Sequence, residues 1–340
     1  MKLHTRLAAA CLAWAMAAVP MSAARAETDH VTVGRALSVA YLPIMVMESR
    51  KLLEKHAREA GLGDITVDYK VMTGGTQIND ALISGSMQIA TGGITPFLVL
   101  WARTHGSVGV KGLSPFNSTA LYLNTRKPEI RSVKDFTAQD RIAVIAPITA
   151  QQSILLRMAV AKEFGQENYG KLDSLTVGMP LADAAAQLIS GGSGHITADF
   201  TVPPFTYQEL AVPGVHTVLT STQVLGGGSP TYGLAYTTSK FFEDNPKTCA
   251  AFIAALREAI DYINNDRKGA QEIFLSTLKS KPPMELIEKM MNDPEISFGQ
   301  TPQHFMTYSK FMHEIGMMKV MPASWKDMFF QGEIQNLEGS

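Results

Sequence analysis

Cysteine is scarce, with two in 340 residues, Cys11 and Cys249. Cys11 lies in a segment expected to be removed, so Cys249 has no internal partner, and a buried structural thiol is its default role. An excess of one charge is also missing: 30 basic residues stand against 31 acidic ones, for a net charge of −1. Without a basic block, nucleic-acid binding has little electrostatic support. No apolar run reaches the roughly 20 residues of a membrane helix. Catalytic signatures are absent too. "GGSGH" (191–195) fails the G-x-S-x-G elbow at its last position. There is no phosphate-binding P-loop, and no G-x-G-x-x-G follows a strand. His56, His105, His195, His216, His304 and His313 lack metal-ligand spacing, and Glu258/Asp261 read as a solvated helix face. The 18 methionines, as in "EKMMND" and "IGMMKVM", read as core filler. The sequence thus points to no enzyme, cofactor or metal.

What is present begins with a leader. Lys2 and Arg6 precede an apolar stretch from Leu7 to Val19, and Ala24-Arg25-Ala26 fits a signal cleavage site. Residues 1–26 are therefore expected to be a removed secretory signal. Losing Lys2, Arg6 and Arg25 leaves 27 basic and 31 acidic residues, a net of about −4. The remaining length suits two lobes better than one small core. The pattern predicts a strand at 33–41, a helix over 45–60, and strands at 65–71 and "MQIAT" separated by a helix that ends in Gly85. From residue 120 the same strand–helix grammar restarts, and from Ser239 the chain reads almost entirely as helix. Asn245-Pro246 opens one helix, with Phe252, Leu256, Ile260 and Ile263 on its buried face. A phrase recurs between the halves: "LISGSMQIATGGITPF" (82–97) and "LISGGSGHITADFTVPPF" (188–205). From Ala90 and Ala198 onward the two align without a gap, which predicts the same helix–strand–loop unit in two similar α/β lobes. The expected crossings lie near 119–125 and 231–237. One lobe then comprises 27–120 and 232–340, with the helical tail covering it, and the other comprises 121–231. The groove between them is the default ligand site.

Five loops sit after predicted strands and at helix starts: Tyr41-Leu42-Pro43, Thr73 to Gln77, Thr91 to Thr95, Ile148 to Gln151, and Asp199-Phe200-Thr201. Ligands of parallel sheets lie beyond the carboxyl ends of the strands, where helix N-termini suit an anion. None of these loops contains a basic residue.

With "YLPIMVMESRKLLEKHA", "IRSVKDF", "SPTYGLAYTTSKFFEDNPKTCAAFIAALREAIDYI" and "GMMKVMPASWKDMFF" in this order, the chain resembles the nitrate/sulfonate/taurine family of periplasmic substrate-binding proteins of ABC transporters, a group that includes thiamine-pyrimidine-precursor binders. The resemblance implies a type II periplasmic binding fold, with two α/β lobes joined by a two-strand hinge. It implies a monomeric receptor in the periplasm that closes on a small anionic or zwitterionic, sulfonate- or taurine-like molecule. Its partners would be an ABC permease and the permease's ATPase. It also implies ligand contacts from Tyr41, Thr76, Gln77, Gly93, Thr95, Thr149, Gln151, Asp199, Thr201 and Tyr232. Asp199 favours a ligand that also carries an amine or hydroxyl donor. An aromatic carboxylate or a pyrimidine is the alternative ligand, with Tyr41, Phe200 and Tyr232 as its walls. A pyrimidine-synthase-like enzyme would need a cysteine-rich motif that this chain lacks. The family's usual Gly-x-Val-Asp-Ala is Gly194 to Ala198 here, with Thr197 for Asp, and Val202-Pro203-Pro204 replaces Trp-Glu-Pro.

Overall fold

The computed structural model describes residues 26–36, 38–72, 75–191, 196–278 and 283–340, without the side chains of Gly75 and Thr76. All of the expected leader except Ala26 lies outside these residues, as do 192–195.

The first parallel strand, β1 (His30–Arg35), buries Val31 and Val33. It stops short of the predicted 41 because the Ser38 hydroxyl accepts from the Ala40 N–H and starts a 3-10 turn over Val39–Tyr41. That turn leads into α1 (Leu42–Arg50), with Pro43 in its first turn. The helix predicted over 45–60 is two helices, because Lys51 takes a left-handed conformation (φ 52°) between α1 and α2 (Leu52–Glu59). Then follow β2 (Thr66–Val71), α3 (Gly75–Ile83), β3 (Ala90–Gly92), α4 (Ile94–Thr104) and β4 (Val110–Thr119). The second series is β5 (Tyr122–Thr125), β6 (Ile142–Val144), α5 (Gln151–Phe164), β7 (Thr176–Gly178), α6 (Leu181–Ser190), β8 (Ala198–Thr201), α7 (Phe205–Leu210), β9 (His216–Thr220) and α8 (Ser221–Leu225). The chain returns through β10 (Thr231–Thr238) to α9 (Ser239–Asp244), α10 (Pro246–Asn265), α11 (Arg267–Thr277), α12 (Met284–Met291), β11 (Ile296–Ser297) and α13 (Phe305–Glu314).

Two sheets result. In the first, β1 pairs parallel with β2 and is joined to the β3 end of β11-β4-β10-β3 by a parallel bridge between Val33 and Ile89. The second runs β7-β6-β8-β5-β9, with β6 parallel to β7 and β8. Each sheet is completed by a strand that has just arrived from the other: β10 lies antiparallel between β3 and β4, and β5 antiparallel between β8 and β9. The chain therefore passes between sheets at 119–122 and 225–231. The expected two-lobe α/β architecture is borne out.

The repeated phrase builds matching units. Both α3 and α6 end at a glycine in the left-handed conformation, Gly85 (φ 78°) and Gly191 (φ 59°), and each leads to the third parallel strand of its sheet. Such a backbone position favours glycine, which has no Cβ to clash. On α10, Phe252, Leu256, Ile260 and Ile263 are all buried, as the helical period required. Cys249 is buried on the same helix, and burial pushes its thiol up to about 12. The C-terminal helices divide: α10 and α11 pack on α1 and α2 of the first lobe, while α13 lies against α4 of the first lobe and α5 of the second. Among the described residues no helix is long and apolar enough to cross a membrane.

Candidate functional site

The carboxyl ends of the parallel strands in the two sheets face each other across a seam. On the first-lobe side Tyr41 ends the turn after β1. Its ring sits edge-on to Phe116, 5.5 Å between centroids. Burial, and then the neighbouring Tyr232 and Tyr236 hydroxyls, hold the Tyr41 phenol well above the ordinary tyrosine value. Burial likewise pushes Tyr232 up to about 12. Both phenols thus stay protonated at any physiological pH and remain hydrogen-bond donors. Glycine is needed at 233, where a Cβ would fall 2.3 Å from the Phe116 ring. At Gly93 the nearest atoms to such a Cβ, among them the Tyr232 carbonyl, stand at an ordinary 3.7 Å.

The two lobes touch directly here. Thr95 Oγ1 donates to the Thr149 carbonyl at 2.8 Å, joining the first turn of α4 to the loop before α5. The Gln151 side-chain amide, on the first residue of α5, donates to the Thr231 carbonyl at 3.2 Å and to the Tyr308 hydroxyl at 3.1 Å. Its own oxygen, Oε1, is buried without a partner. Tyr41, Gly93, Thr95, Thr149, Gln151 and Tyr232 are thus gathered along one seam.

The two helices that meet at this seam begin without side-chain caps: Gly93 and Ala150, at the N-termini of α4 and α5, make no capping bond. The start of α1 differs, since it continues the 3-10 turn capped by Ser38. Several other first turns are served: Thr220, Thr238 and Asp266 cap α8, α9 and α11, the Glu27 carboxylate accepts from Lys247 and Thr248 at the start of α10, and Ser340 accepts from Phe305 on α13, while α2, α6, α7 and α12 begin without a side-chain cap. Uncapped N–H groups and the positive end of the helix dipole make an anion-attracting surface without a basic side chain.

Asp199 and Thr201 are not brought to the same place. Both are fully buried on β8. Asp199 is in register with Asn124 of β5 and Ala143 of β6, and its carboxyl interacts with Glu209 of α7. Asn124 donates to Glu209 at 2.8 Å and to Thr206 at 3.2 Å, and accepts from Thr217 at 2.8 Å. This polar row lies between the sheet and α7, inside the second lobe. Burial, followed by the Glu209 carboxyl, pushes Asp199 well above the usual carboxylate range. Phe200, on the opposite face, belongs to the apolar core. Gln77 is exposed on the first turn of α3, and the Thr76 side chain lies outside the described residues.

Sequence reasoning missed Phe116 and Tyr308. Phe116 sits in a strand of mixed composition, VKGLSPFNST, that is buried along nearly its whole length and gives no local signal, and Tyr308 reaches Gln151 only because α13 lies across both lobes. Among the described residues no cluster of three metal-ligating side chains occurs. A groove of about 540 Å³ between α5, α8 and α13 is lined by Met158, Leu225 and Phe311, away from the α5 N-terminus.

The model of the NMT1-like family matches residues 24–277. No curated protein is similar enough in sequence to be matched. Among solved structures, the alkanesulfonate-binding protein SsuA from Xanthomonas axonopodis pv. citri bound to MOPS superposes with a TM-score of 0.65 at 16% identity, covering 87% of this chain and 96% of its own. The periplasmic aliphatic sulphonate binding protein SsuA from Escherichia coli gives 0.66 at 16%, covering 92% and 95%. The periplasmic nitrate-binding protein NrtA from Synechocystis PCC 6803 gives 0.66 at 16%, covering 89% and 84%. These likenesses bear out the expected periplasmic binding fold.

Proposed function

This chain belongs to the NMT1-like family, and from that premise we propose that it is the solute-binding receptor of an ABC importer, acting in the periplasm on a small organic anion of the sulfonate class. The observation that carries the reading is the meeting of α4 and α5 at the seam. Both N-termini are uncapped, they are tied by the Thr95–Thr149 bond, and no basic residue occupies either loop. An anion between them would accept from main-chain N–H groups and from the Tyr41 and Tyr232 hydroxyls, and lobe closure would follow as a population shift towards the form that contacts it on both sides. Structural neighbours bind alkanesulfonates and nitrate, which supports the anion class. Delivery to a membrane permease and its ATPase follows from this role. The Tyr41–Phe116 ring pair favours a second reading, an aromatic carboxylate or a pyrimidine packed against the aromatic wall.

A thermal-shift series against alkanesulfonates, taurine, nitrate, aromatic carboxylates and pyrimidines separates the two. Ligand that binds only the folded state raises the melting temperature with concentration. Shifts confined to sulfonates support the first reading and shifts confined to flat ring compounds the second. A flat response to every solute removes the receptor reading.

A further inference from the structure

A second contact between the lobes lies away from the seam residues already described, and it is more polar than the first. Tyr207 stands in the first turn of α7, a helix of the second lobe, yet its side chain packs into the apolar cluster of the first lobe. Its hydroxyl donates to Asp293 Oδ2, in the connection between α12 and β11, which belongs to the first lobe. The Lys289 ammonium lies 5.1 Å from the centre of the Tyr207 ring. Asp293 is oriented by its own neighbourhood, since its Oδ1 accepts from the Glu295 N–H at 2.8 Å.

Glu295 in turn holds both crossing segments. Its carbonyl accepts from Ala120 N–H at 3.1 Å, and its carboxylate accepts from Ser229 Oγ at 2.5 Å. Two residues of one short connection, Asp293 and Glu295, thus grip both hinge passages and one helix of the opposite lobe. Nothing in either sheet's own ladder depends on the Tyr207–Asp293 bond. Its partners are 86 residues apart and meet only when the lobes do.

We propose that Tyr207, Asp293 and Lys289 form a clasp at the hinge that holds the lobes at their closed angle, so that Tyr207 and Asp293 are positioning residues for ligand retention without touching ligand. A phenol donating to a carboxylate is a charge-assisted bond, and it lies where Tyr207 is 8% exposed, so losing it favours the open form more than losing a neutral surface bond would. Burial and Asp293 together hold the Tyr207 phenol well above its ordinary value, consistent with a hydroxyl that stays a donor. Closure by this clasp is independent of which solute binds; only its effect on retention rests on the receptor reading above.

The test compares wild type with Tyr207→Phe and Asp293→Asn by small-angle X-ray scattering without ligand. The phenylalanine keeps the ring in its core position, and thermal melting of both variants checks that the lobes stay folded. The clasp is expected to change the closed-to-open ratio about ten-fold, seen as a larger radius of gyration in each variant, with the double variant no more open than either single one. A wild-type curve already matching separated lobes, or a Tyr207→Phe curve superimposing on wild type, overturns the clasp. If a sulfonate ligand is found, both variants should release it about ten-fold faster with little change in association, and unchanged release also overturns the role in retention. Scattering needs no ligand, so opening by the variants in a protein that binds no anion sinks the receptor reading and leaves the clasp standing.

Discussion

The two lobes carry the same helix–strand–loop unit and fill the equivalent position of the third strand differently. In the first lobe it is Thr91, fully buried, whose Oγ1 donates to the Gly34 carbonyl of the adjacent strand at 2.5 Å. In the second it is Asp199, also fully buried, with a second carboxyl, Glu209, as its neighbour. One position is satisfied by a neutral hydroxyl with a single acceptor. The other holds two acids that cannot both be ionised in a dry site. The scaffold is therefore indifferent to what fills this position, and the cost is set by the partners each lobe supplies.

Placing the second lobe's residue into the first lobe breaks that comparison most severely. Thr91→Asp puts a carboxylate against the Gly34 carbonyl, an acceptor facing an acceptor, in a fully buried position. An unpaired buried charge of this kind costs about 3–5 kcal/mol. Urea unfolding should show a loss of that order, and a midpoint near wild type would mean that the first lobe has a hidden partner for a carboxylate.

The next largest effect comes from neutralising the acid pair. Asp199 has a raised value in the folded state, so the folded protein holds a proton that the unfolded chain gives up near pH 3.8. The sign follows: stability falls as pH rises above about 4, and continues to fall until Asp199 ionises in the folded state, at no more than about 1.4 kcal/mol per pH unit. Asp199→Asn removes the titrating proton and gives Glu209 an amide donor. The variant should be more stable than wild type at neutral pH by about 1–3 kcal/mol and should lack this part of the slope. Urea midpoints from pH 5 to 8 decide it, because parallel slopes for the two proteins would mean that Asp199 does not carry the proton.

Glycine supplies a third contrast, within the first lobe. A methyl group at Gly233 would enter the Phe116 ring, which also packs edge-on with Tyr41, whereas one at Gly93 meets nothing closer than 3.7 Å. Gly233→Ala should lose about 1–3 kcal/mol through overpacking and should disturb the aromatic wall of the seam, while Gly93→Ala should stay within about 0.5 kcal/mol. Melting temperatures of the pair measure the difference. Equal losses would show that the Phe116 ring can move aside.

Much of this scaffold was legible in the chain, and the reasons are local. Glycine after "LIS" marks both helix ends, Asn245-Pro246 marks the start of α10, and the 3.6-residue period names its buried face, because each signal acts within a turn or two of the residues it governs. What was not legible depends on who packs against whom. Alternation along β8 puts Asp199 and Thr201 on one face but does not tell which helix covers that face, and the answer, α7 with Glu209 ten residues on, sets a second acid beside Asp199. In the same way the tail reads as helix, but no periodicity reveals that α13 brings Tyr308 to Gln151 across both lobes. The left-handed Lys51 that splits one expected helix in two carries no glycine or asparagine signal, so propensity alone does not reveal it.

The smallest expected effect concerns the seam itself, where the lobes are joined on neutral terms. Thr95 Oγ1 donates to a main-chain carbonyl, and Thr95→Val keeps the side chain's shape while removing the donor. A neutral bond of this kind contributes about 1 kcal/mol, so the closed form should lose about five-fold in population relative to the open one. Unfolding of the ligand-free protein should hardly change, because the bond links lobes and not the strands within either. A ligand held on both sides of the seam should bind about five-fold more weakly, measured by calorimetric titration of wild type and variant with the same solute. A loss of stability without a loss of affinity would place Thr95 in the core of the first lobe and not at the meeting of the two. An equal affinity and equal stability would show that the helix N-termini hold the ligand without help from this contact.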